Sequence, residues 1–267
     1  MIKKIIPALL LPVVISSAAL SQSEQLVINL SSSSIPGLLV FENPKGSIKV
    51  TGYEGDVLLV TGTLRFSDKE KPAEDAMKRI EQKTLDISAE VKGKETTLLC
   101  RTTGKTVDFD IKVPRNYSLK LKSLDNGTVE IFNINGDIEV ENANGDISLG
   151  NISGSAVLSS VYGKISAAFR EVNPGSPMMF TSFEGDITVT LPESVNARLR
   201  LKSEKGEIMS DFDIKPVNRQ SVVTKVDNTL VYSLEDWFAG TINDGGPEYI
   251  IRSYNGNVIL RKKSGLL

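Results

Sequence analysis

Histidine is absent from this chain of 267 residues, and cysteine and tryptophan occur once each. Without histidine, Ser-His-Asp sites, Cys-His sites and histidine-ligated metal sites are excluded. The single Cys100 has no second thiol, so an intramolecular disulfide is excluded as well. We therefore predict no catalytic residues, no bound metal and no cofactor, and a core that is stabilised by packing and backbone pairing alone.

An excess of charge of either sign is also missing. The 31 Lys and Arg residues nearly balance the 33 Asp and Glu residues, which gives a net charge of −2 and no strongly basic half. Nucleic acid is therefore not predicted as a partner. No glycine-rich phosphate or dinucleotide motif is present. The enzyme chemistry that remains is a carboxylate pair or a Lys/Arg base acting on a polysaccharide, which we keep as an alternative function.

The N-terminus has the layout of a secretory signal peptide. Lys3 and Lys4 precede an apolar run at 5–15, and small residues follow at 16–19. The run is short for a membrane span and two prolines interrupt it, so a cleaved signal at 1–21 is favoured over a buried or spanning helix. We predict an exported protein, periplasmic, on the cell surface or secreted, that does not span a membrane after cleavage.

Glycine recurs every nine residues in the middle of the chain, over the segment 127–167. The glycines of this run are Gly127, Gly136, Gly145, Gly154 and Gly163. Two residues after them come Val129, Ile138, Ile147, Ala156 and Ile165, and further apolar residues come four after. This alternation is typical of the inward positions of short strands. Asn126, Asn135 and Asn144 precede three of the glycines, and Asn-Gly pairs bend the chain tightly.

The period predicts one all-β repeat domain over 22–267, folded as a β-solenoid or β-helix-like stack. The glycines at 163, 185 and 206 are 22 and 21 residues apart, which suits a coil of two or more strands per turn. An antiparallel β-meander or sandwich is the alternative, because Asn-Gly pairs also close hairpins.

Two segments depart from the repeat. Apolar residues at helical spacing predict one short amphipathic helix over 71–83 that packs against the sheet. The segment 211–248 lacks the glycine period, and we interpret it as an excursion before a last strand at 249–263.

Acidic residues directly follow four glycines, at Asp56, Asp137, Asp146 and Asp186. Such a series could bind calcium, but the Gly-Gly-x-Gly-x-Asp unit of calcium-binding repeats is missing. We therefore predict that these carboxylates accept hydrogen bonds from backbone N–H groups at the turns. No metal site is predicted.

The densest aromatic group near the C-terminus supplies the candidate binding residues. These are Trp237, Phe238, Tyr249 and Tyr254, in a chain that is only 6% aromatic. Aromatic faces can stack on sugars, so these side chains are the candidates for a ligand site. The alternative, which we favour, is that they close the open end of the β-stack.

Two segments carry a family resemblance: Asn135-Gly-Asp-Ile-Glu-Val140 through Asn144-Gly-Asp-Ile147, and the ending from Gly240 to Lys262 with its Ser253-Tyr-Asn-Gly-Asn-Val258 sequence. The chain resembles a bacterial adhesin-like family of β-repeat domains of unknown function over most of 26–263. The resemblance implies an exported protein with a β-helix-like fold and no established activity. It supplies no catalytic residues.

Together these observations predict an exported, non-enzymatic β-repeat protein, either an adhesin or a structural and binding module of the bacterial cell envelope. The expected partner is an envelope or surface ligand, glycan or protein, whose identity the sequence does not give. A polysaccharide-active enzyme and a periplasmic accessory or sensor protein are the alternatives.

Overall fold

The computed structural model describes residues 23–30, 36–65, 85–102, 104–217, 221–226, 229–234 and 236–263. These residues form strands and turns, with no helix among them. None of them therefore forms a helix able to cross a membrane. The predicted signal peptide at 1–21 and the predicted helix at 71–83 lie outside the described residues.

The strands of the first half, in chain order, are β1 (Ser23–Asn29), β2 (Leu38–Asn43), β3 (Ile48–Tyr53), β4 (Val57–Arg65), β5 (Ile87–Lys92), β6 (Glu95–Cys100), β7 (Thr106–Pro114), β8 (Ser118–Ser123), β9 (Val129–Phe132), β10 (Ile138–Asn144), β11 (Ile147–Gly154) and β12 (Ala156–Tyr162). Those of the second half are β13 (Ile165–Val172), β14 (Met178–Glu184), β15 (Ile187–Leu191), β16 (Ala197–Ser203), β17 (Ile208–Ser210), β18 (Lys215–Pro216), β19 (Ser221–Val226), β20 (Thr229–Leu234), β21 (Phe238–Ile242), β22 (Glu248–Asn255) and β23 (Val258–Lys262).

Two facing sheets make up the stack. Sheet A has the order β1-β4-β7-β3-β9-β11-β13-β15-β23-β17, and sheet B has the order β18-β21-β16-β22-β14-β12-β10-β8-β2-β6-β5. A coil consists of one sheet B strand, a turn, the next sheet A strand and a second turn. Neighbouring coils pair in parallel, whereas the strands added outside the coils, β1, β4, β5, β18 and β21, pair antiparallel. The fold is therefore a β-solenoid, and the meander alternative was wrong for the central repeat.

One coil contains two of the nine-residue units. Ile138 pairs with Ala156, and Ile147 pairs with Ile165, each 18 residues later. Consecutive glycines of the repeat therefore lie at opposite ends of the coil, and Ile138 and Ile147 are inward residues of different sheets, each at the start of its strand. Of the three asparagines before glycines, only Asn126 has a positive φ, at 52°.

The core fills the space between the two sheets. Alternate residues of each strand point inward because side chains alternate across a strand. The inward set is aliphatic and aromatic, and Ile131, Leu158, Phe180, Ile187 and Leu260 have no exposed surface. Two sheets that bury their inner faces against each other in this way need no helix or disulfide to exclude water.

Both ends of the stack are interleaved. The stack order of coils is β6-β7, β2-β3, β8-β9, β10-β11, β12-β13, β14-β15, β22-β23 and β16-β17. The last coil along the chain, β22-β23, thus lies between two coils formed earlier, whereas the first coil along the chain, β2-β3, lies between two coils formed later. The excursion at 211–248 contains β18 and β21, which extend sheet B past β16, and the hairpin β19-β20, whose strands pair only with each other among the described residues.

The first corner, where sheet B strands turn into sheet A strands, carries a glycine in every coil of the interior. A methyl group added at Gly145 would lie 2.1 Å from the Gly127 carbonyl oxygen, and one at Gly163 would lie 2.1 Å from the Gly145 oxygen. Successive backbones therefore approach too closely for any side chain. Gly145 also has a φ of 135°, which other residues rarely adopt.

A ladder of buried polar side chains follows the same corner. Its members are Asn43, Ser123, Asn142, Ser160, Ser182 and Ser253. Asn142 Nδ2 donates to the carbonyl oxygens of Gly127, at 3.0 Å, and Gly145, at 2.8 Å. Ser253 Oγ donates to the Gly185 oxygen at 2.9 Å. The ladder therefore satisfies glycine carbonyls that the turn leaves inside the stack.

Candidate binding surface

A row of apolar side chains runs across the outer face of sheet B, beside the first corner. Each member follows a residue of the polar ladder by one position, so it points away from the core. We call this row the apolar column; it consists of Leu124, Ala143, Val161, Phe183 and Tyr254. The exposed fractions of Leu124, Val161, Phe183 and Tyr254 are 39%, 43%, 49% and 37%. Because neighbouring strands are about 4.8 Å apart, five members cover about 20 Å of the stack.

The aromatic members contact one another along the stack. The rings of Phe183 and Tyr254 are stacked, with centroids 4.9 Å apart and an interplanar angle of 4°. Tyr162, on the preceding coil, meets Phe183 edge to face at 6.3 Å. Lys205 Nζ lies over the Tyr254 ring, 5.0 Å from its centroid. The Phe183 ring therefore has one face covered by Tyr254 and a second ring, Tyr162, in contact with it.

A charged network borders the column at the end of sheet B. Lys202 Nζ contacts Glu204 Oε1 at 2.7 Å and also forms an ion pair with Asp236. These hydrogen bonds, first that to Asp236 and then that to Glu204, raise the pKa of Lys202, while the bond from Lys202 lowers the pKa of Asp236. Arg252 also contacts Glu204, at 3.3 Å. The network fixes the side chains that form the rim of the column.

The four aromatic residues predicted as candidates are not brought together into one site. Tyr254 belongs to the apolar column, and Trp237 lies on the same outer face, with the Arg200 guanidinium 5.1 Å from its ring centroid. Phe238 pairs with the inward-facing Leu201, so its side chain points to the opposite side of the sheet at the edge of the stack. It is 38% exposed there and only partly covers the end.

Tyr249 is a core residue and cannot belong to a surface site. Its side chain is 1% exposed, and its hydroxyl has no hydrogen-bond partner among the described residues. Burial raises the pKa of Tyr249 to about 12. Tyr249 is the first inward residue of β22. The alternation of apolar residues in 249–263 indicates this inward position, but Tyr249 was selected as a surface candidate because other aromatic residues are near it in sequence.

Sequence reasoning missed most of the apolar column. The signal that identifies it is the position two residues before a corner glycine, which holds Ala143, Val161, Phe183 and Tyr254. This position follows an inward polar residue and so faces outward by the alternation of a strand. The apolar residues at this position are exposed in three neighbouring coils, at Val161, Phe183 and Tyr254, and Ala143 is half-buried in the next coil.

Three of the four glycine-following aspartates, Asp137, Asp146 and Asp186, accept hydrogen bonds from backbone N–H groups, as predicted. Asp146 Oδ1 accepts a hydrogen bond from the Lys164 backbone N–H at 2.8 Å, and Asp186 Oδ1 accepts one from that of Asn257 at 2.8 Å. Asp137 Oδ1 accepts from the backbone and hydroxyl of Ser155. The described part of the chain holds no group of three or more Cys, Asp or Glu residues placed to bind a metal ion. These carboxylates therefore link one coil to the next.

The comparisons with known proteins concern mainly the repeat. Residues 133–230 match the family model described as Toastrack DUF4097. No curated protein matches the chain. Two crystal structures resemble it, each at 13% identity over 91% of this chain: a proposed cell adhesion protein from Clostridium sporogenes ATCC 15579, covered completely (100%) at a TM-score of 0.45, and a proposed adhesin from Bacteroides fragilis NCTC 9343, covered to 97% at 0.39. The Toastrack match bears out the predicted family resemblance over residues 133–230.

Proposed function

We propose that the protein is an exported, non-enzymatic adhesin-like module that binds a protein partner at the bacterial envelope through the apolar column. The observation that carries this proposal is the exposure of Val161, Phe183 and Tyr254 in three successive coils. Contiguous exposed apolar side chains with a polar rim are typical of protein interaction surfaces. Aromatic residues at their centre supply most of the binding energy.

The ring contacts favour a protein over a sugar at this surface. A sugar stacks on an open aromatic face, but one face of Phe183 lies against Tyr254, and the Tyr162 ring meets Phe183 at nearly a right angle. The Lys205 ammonium covers the side of Tyr254 that Phe183 leaves open. What remains available is a ridge of ring edges and aliphatic groups, which can pack into the apolar pockets of a partner protein.

The rigidity of the surface also supports an adhesive role. Each column residue stands on a strand whose backbone is bonded to two neighbouring coils, and its ladder neighbour is bonded to a corner glycine. Little conformational entropy is therefore lost when a partner covers these side chains. A stack of this kind presents a long, fixed surface rather than a mobile loop.

The clearest pKa shifts have structural causes. Lys92 and Glu90 form an exposed ion pair that lowers the pKa of Glu90, and Lys202 and Asp236 form a second. Burial raises the pKa values of Tyr117 and Tyr249. These groups lie on different strands and do not converge on one cleft, whereas the acid and base of an enzyme act on one bound substrate. This arrangement supports the non-enzymatic part of the proposal.

The binding proposal is tested on an array of purified envelope and extracellular matrix proteins probed with the labelled protein. The test variant carries Val161→Ser, Phe183→Ser and Tyr254→Ser. The control carries Val157→Ser and Met179→Ser, which are 41% and 40% exposed on the same face but outside the column. We expect the test variant to bind at least about tenfold more weakly, equivalent to about 1.4 kcal/mol, and the control to bind as wild type does.

Three results would contradict the proposal. Equal binding by the test variant would exclude the column, and binding to no protein on the array would reject a protein partner. Release of new reducing ends from envelope polysaccharides by the purified protein would reject the non-enzymatic part. Export is tested separately by N-terminal sequencing of the protein from an envelope fraction, which should begin near Gln22.

A further inference from the structure

Two adjoining grooves run along the second corner, where sheet A strands turn into sheet B strands. One has a volume of about 300 Å³ and extends from Asn116 to Asn173. The other, of about 430 Å³, continues from Arg170 to Gly246. Glu171 and Val172 line both. The combined groove crosses the turns that lead into β8, β10, β12, β14, β16 and β22, a length of about 24 Å at the spacing of neighbouring strands.

Side-chain amides form an ordered floor in this groove. Asn135 Nδ2 donates to Asn116 Oδ1 at 3.3 Å, and Asn135 Oδ1 accepts a hydrogen bond from the Arg170 guanidinium at 2.8 Å. Arg170 also donates to Asn151 Oδ1 at 3.5 Å. Ser153 Oγ donates to Glu171 Oε2 at 3.0 Å. The polar groups are thus held in place before any ligand arrives, which reduces the entropy that binding would cost.

The backbone at this corner is occupied by bonds between coils. Asn135 N–H donates to the Arg115 oxygen at 2.6 Å, Ser153 N–H to the Ile134 oxygen at 2.8 Å and Asn173 N–H to the Gly154 oxygen at 3.1 Å. An extended peptide that adds to a protein by strand pairing needs a row of free backbone groups. Recognition in this groove therefore falls to the side chains.

The charges in the groove determine which kind of ligand its side chains can bind. Among the described residues, the first groove is lined by the carboxyl groups of Asp137 and Glu171 and by no Lys or Arg. In the same part of the chain, the only cationic side chain that lines the second groove is Arg170, whose guanidinium is bonded to Asn135 and Asn151. An anionic polymer would meet repulsion here. A ligand whose hydroxyl groups both donate and accept hydrogen bonds matches the amide, hydroxyl and carboxylate groups present.

We propose that the groove along the second corner binds an uncharged polysaccharide strand. The hydroxyl groups of successive sugars contact Asn116, Ser153, Glu171 and Asn173 in the first groove. The rings of Pro174 and Pro192 in the second groove provide apolar surface for the C–H face of a sugar. This site lies on the edge of the stack, away from the apolar column, and the inference does not depend on the function proposed for that column.

The test uses calorimetric titration of the full chain with six-unit oligomers of glucose, β-1,4-linked or α-1,4-linked, and of N-acetylglucosamine. A six-unit oligomer of galacturonate serves as the anionic probe. The test variant carries Asn116→Ala and Glu171→Gln, two substitutions outside the core. The control variant carries Phe183→Ser, in the apolar column. Thermal unfolding of both variants confirms that they are folded.

We expect at least one uncharged oligomer to bind, with a dissociation constant below about 1 mM, and the galacturonate oligomer to bind at least about tenfold more weakly. The Asn116→Ala/Glu171→Gln variant should lose at least about tenfold in affinity, and Phe183→Ser should lose none. Absence of binding by all uncharged oligomers, stronger binding of galacturonate, or unchanged affinity in the groove variant would each overturn the proposal. Loss of affinity in Phe183→Ser alone would place the sugar on the apolar column instead.

Discussion

The two corners of the coil both carry the chain from one sheet to the other, but they differ in turn length and in the residues that form the turns. At the first corner, four of the turns contain only two residues, and a glycine and a buried Ser or Asn recur in each coil. At the second corner the turns range from the single Ser155 to five residues at 173–177 and 192–196. Backbones of successive coils approach closely at the first corner and also at Gly136 and Gly154 of the second corner, but the five-residue turns at 173–177 and 192–196 of the second corner line a groove.

This difference shows where the stability of a solenoid resides and where its surface can vary. Substitution at the first corner moves the backbone of the next coil, because the atoms that a side chain would meet are carbonyl groups. At the second corner a methyl group on Gly136 or Gly154 would also meet a carbonyl oxygen at 2.4 Å, but one on Gly175 would meet no atom within 4 Å, so the turn at 173–177 can vary without moving a strand. We therefore expect stability to depend on the first corner and binding to depend on the second corner and on the outer face of sheet B.

The largest effect is expected for Gly145→Ala. The new methyl group would lie 2.1 Å from the Gly127 oxygen, at a φ of 135°. A strained backbone conformation and an overpacked contact cost about 2 kcal/mol each, so the free energy of unfolding should fall by about 4 kcal/mol. Urea denaturation measures this change.

Gly175→Ala is the matched control at the second corner. A methyl group there would meet no atom within 4 Å, and Gly175 does not have a positive φ. The free energy of unfolding of this variant should stay within about 0.5 kcal/mol of the wild-type value. Equal losses for the two alanine variants would show that the corners do not differ in the way described.

A smaller loss is expected for Asn142→Ala. Asn142 is 2% exposed, and its amide donates to two glycine carbonyl groups at the first corner. Removing it leaves buried acceptors unpaired, which should lower the free energy of unfolding by about 2 kcal/mol. Asn116→Ala, at an exposed position of the second corner, should cost at most about 0.5 kcal/mol. If denaturation curves showed a larger loss of stability for Asn116→Ala than for Asn142→Ala, the comparison of the two corners would be contradicted.

The smallest effect is a gain in stability. Tyr249→Phe removes a buried hydroxyl that has no partner among the described residues, so the free energy of unfolding should rise by about 1 kcal/mol at neutral pH. The pKa of Tyr249 is raised to about 12 by burial. The wild-type protein should therefore keep its full stability below about pH 10 and lose about 2–3 kcal/mol as the pH rises to about 12.

The Tyr249→Phe variant should lack this part of the alkaline loss. Denaturation at a series of pH values from neutral to about 12 compares the two proteins directly, and their difference removes the contribution of every other tyrosine and lysine. Parallel curves for wild type and variant would mean that the hydroxyl is not buried in the neutral form.

The glycine spacing and the apolar alternation were enough to predict stacked coils of two or more strands per turn, because both features are local and repeat along the chain. The order of coils could not be predicted in this way. The insertion of β22-β23 between β14-β15 and β16-β17 depends on contacts between residues far apart in sequence. Glycine spacing indicates the length of a coil but not which coil lies beside it.

The candidate site was predicted only in part, for a related reason. Tyr254 was selected because aromatic residues are dense near the C-terminus, yet its ring partner Phe183 is distant in sequence and adjacent only through the pairing of β14 with β22. Tyr249 was selected on the same density but faces inward. The density of aromatic residues along the sequence therefore did not identify residues that are neighbours in the structure. Aligning the repeats on their corner glycines would have identified them better.

The central claim is that one coil contains 18 residues, with nine-residue neighbours on opposite outer faces. Ser148 and Ser166 are register partners on β11 and β13, whereas Val157 lies on β12 in the other sheet. We would attach nitroxide labels to cysteines at 148 and 166, and separately at 148 and 157, after Cys100→Ser. The account predicts strong dipolar broadening for the first pair, because adjacent strands are about 4.8 Å apart, and little for the second, whose labels extend from opposite faces of sheets packed about 10 Å apart. Broadening of the 148 and 157 pair as strong as that of the 148 and 166 pair would contradict it.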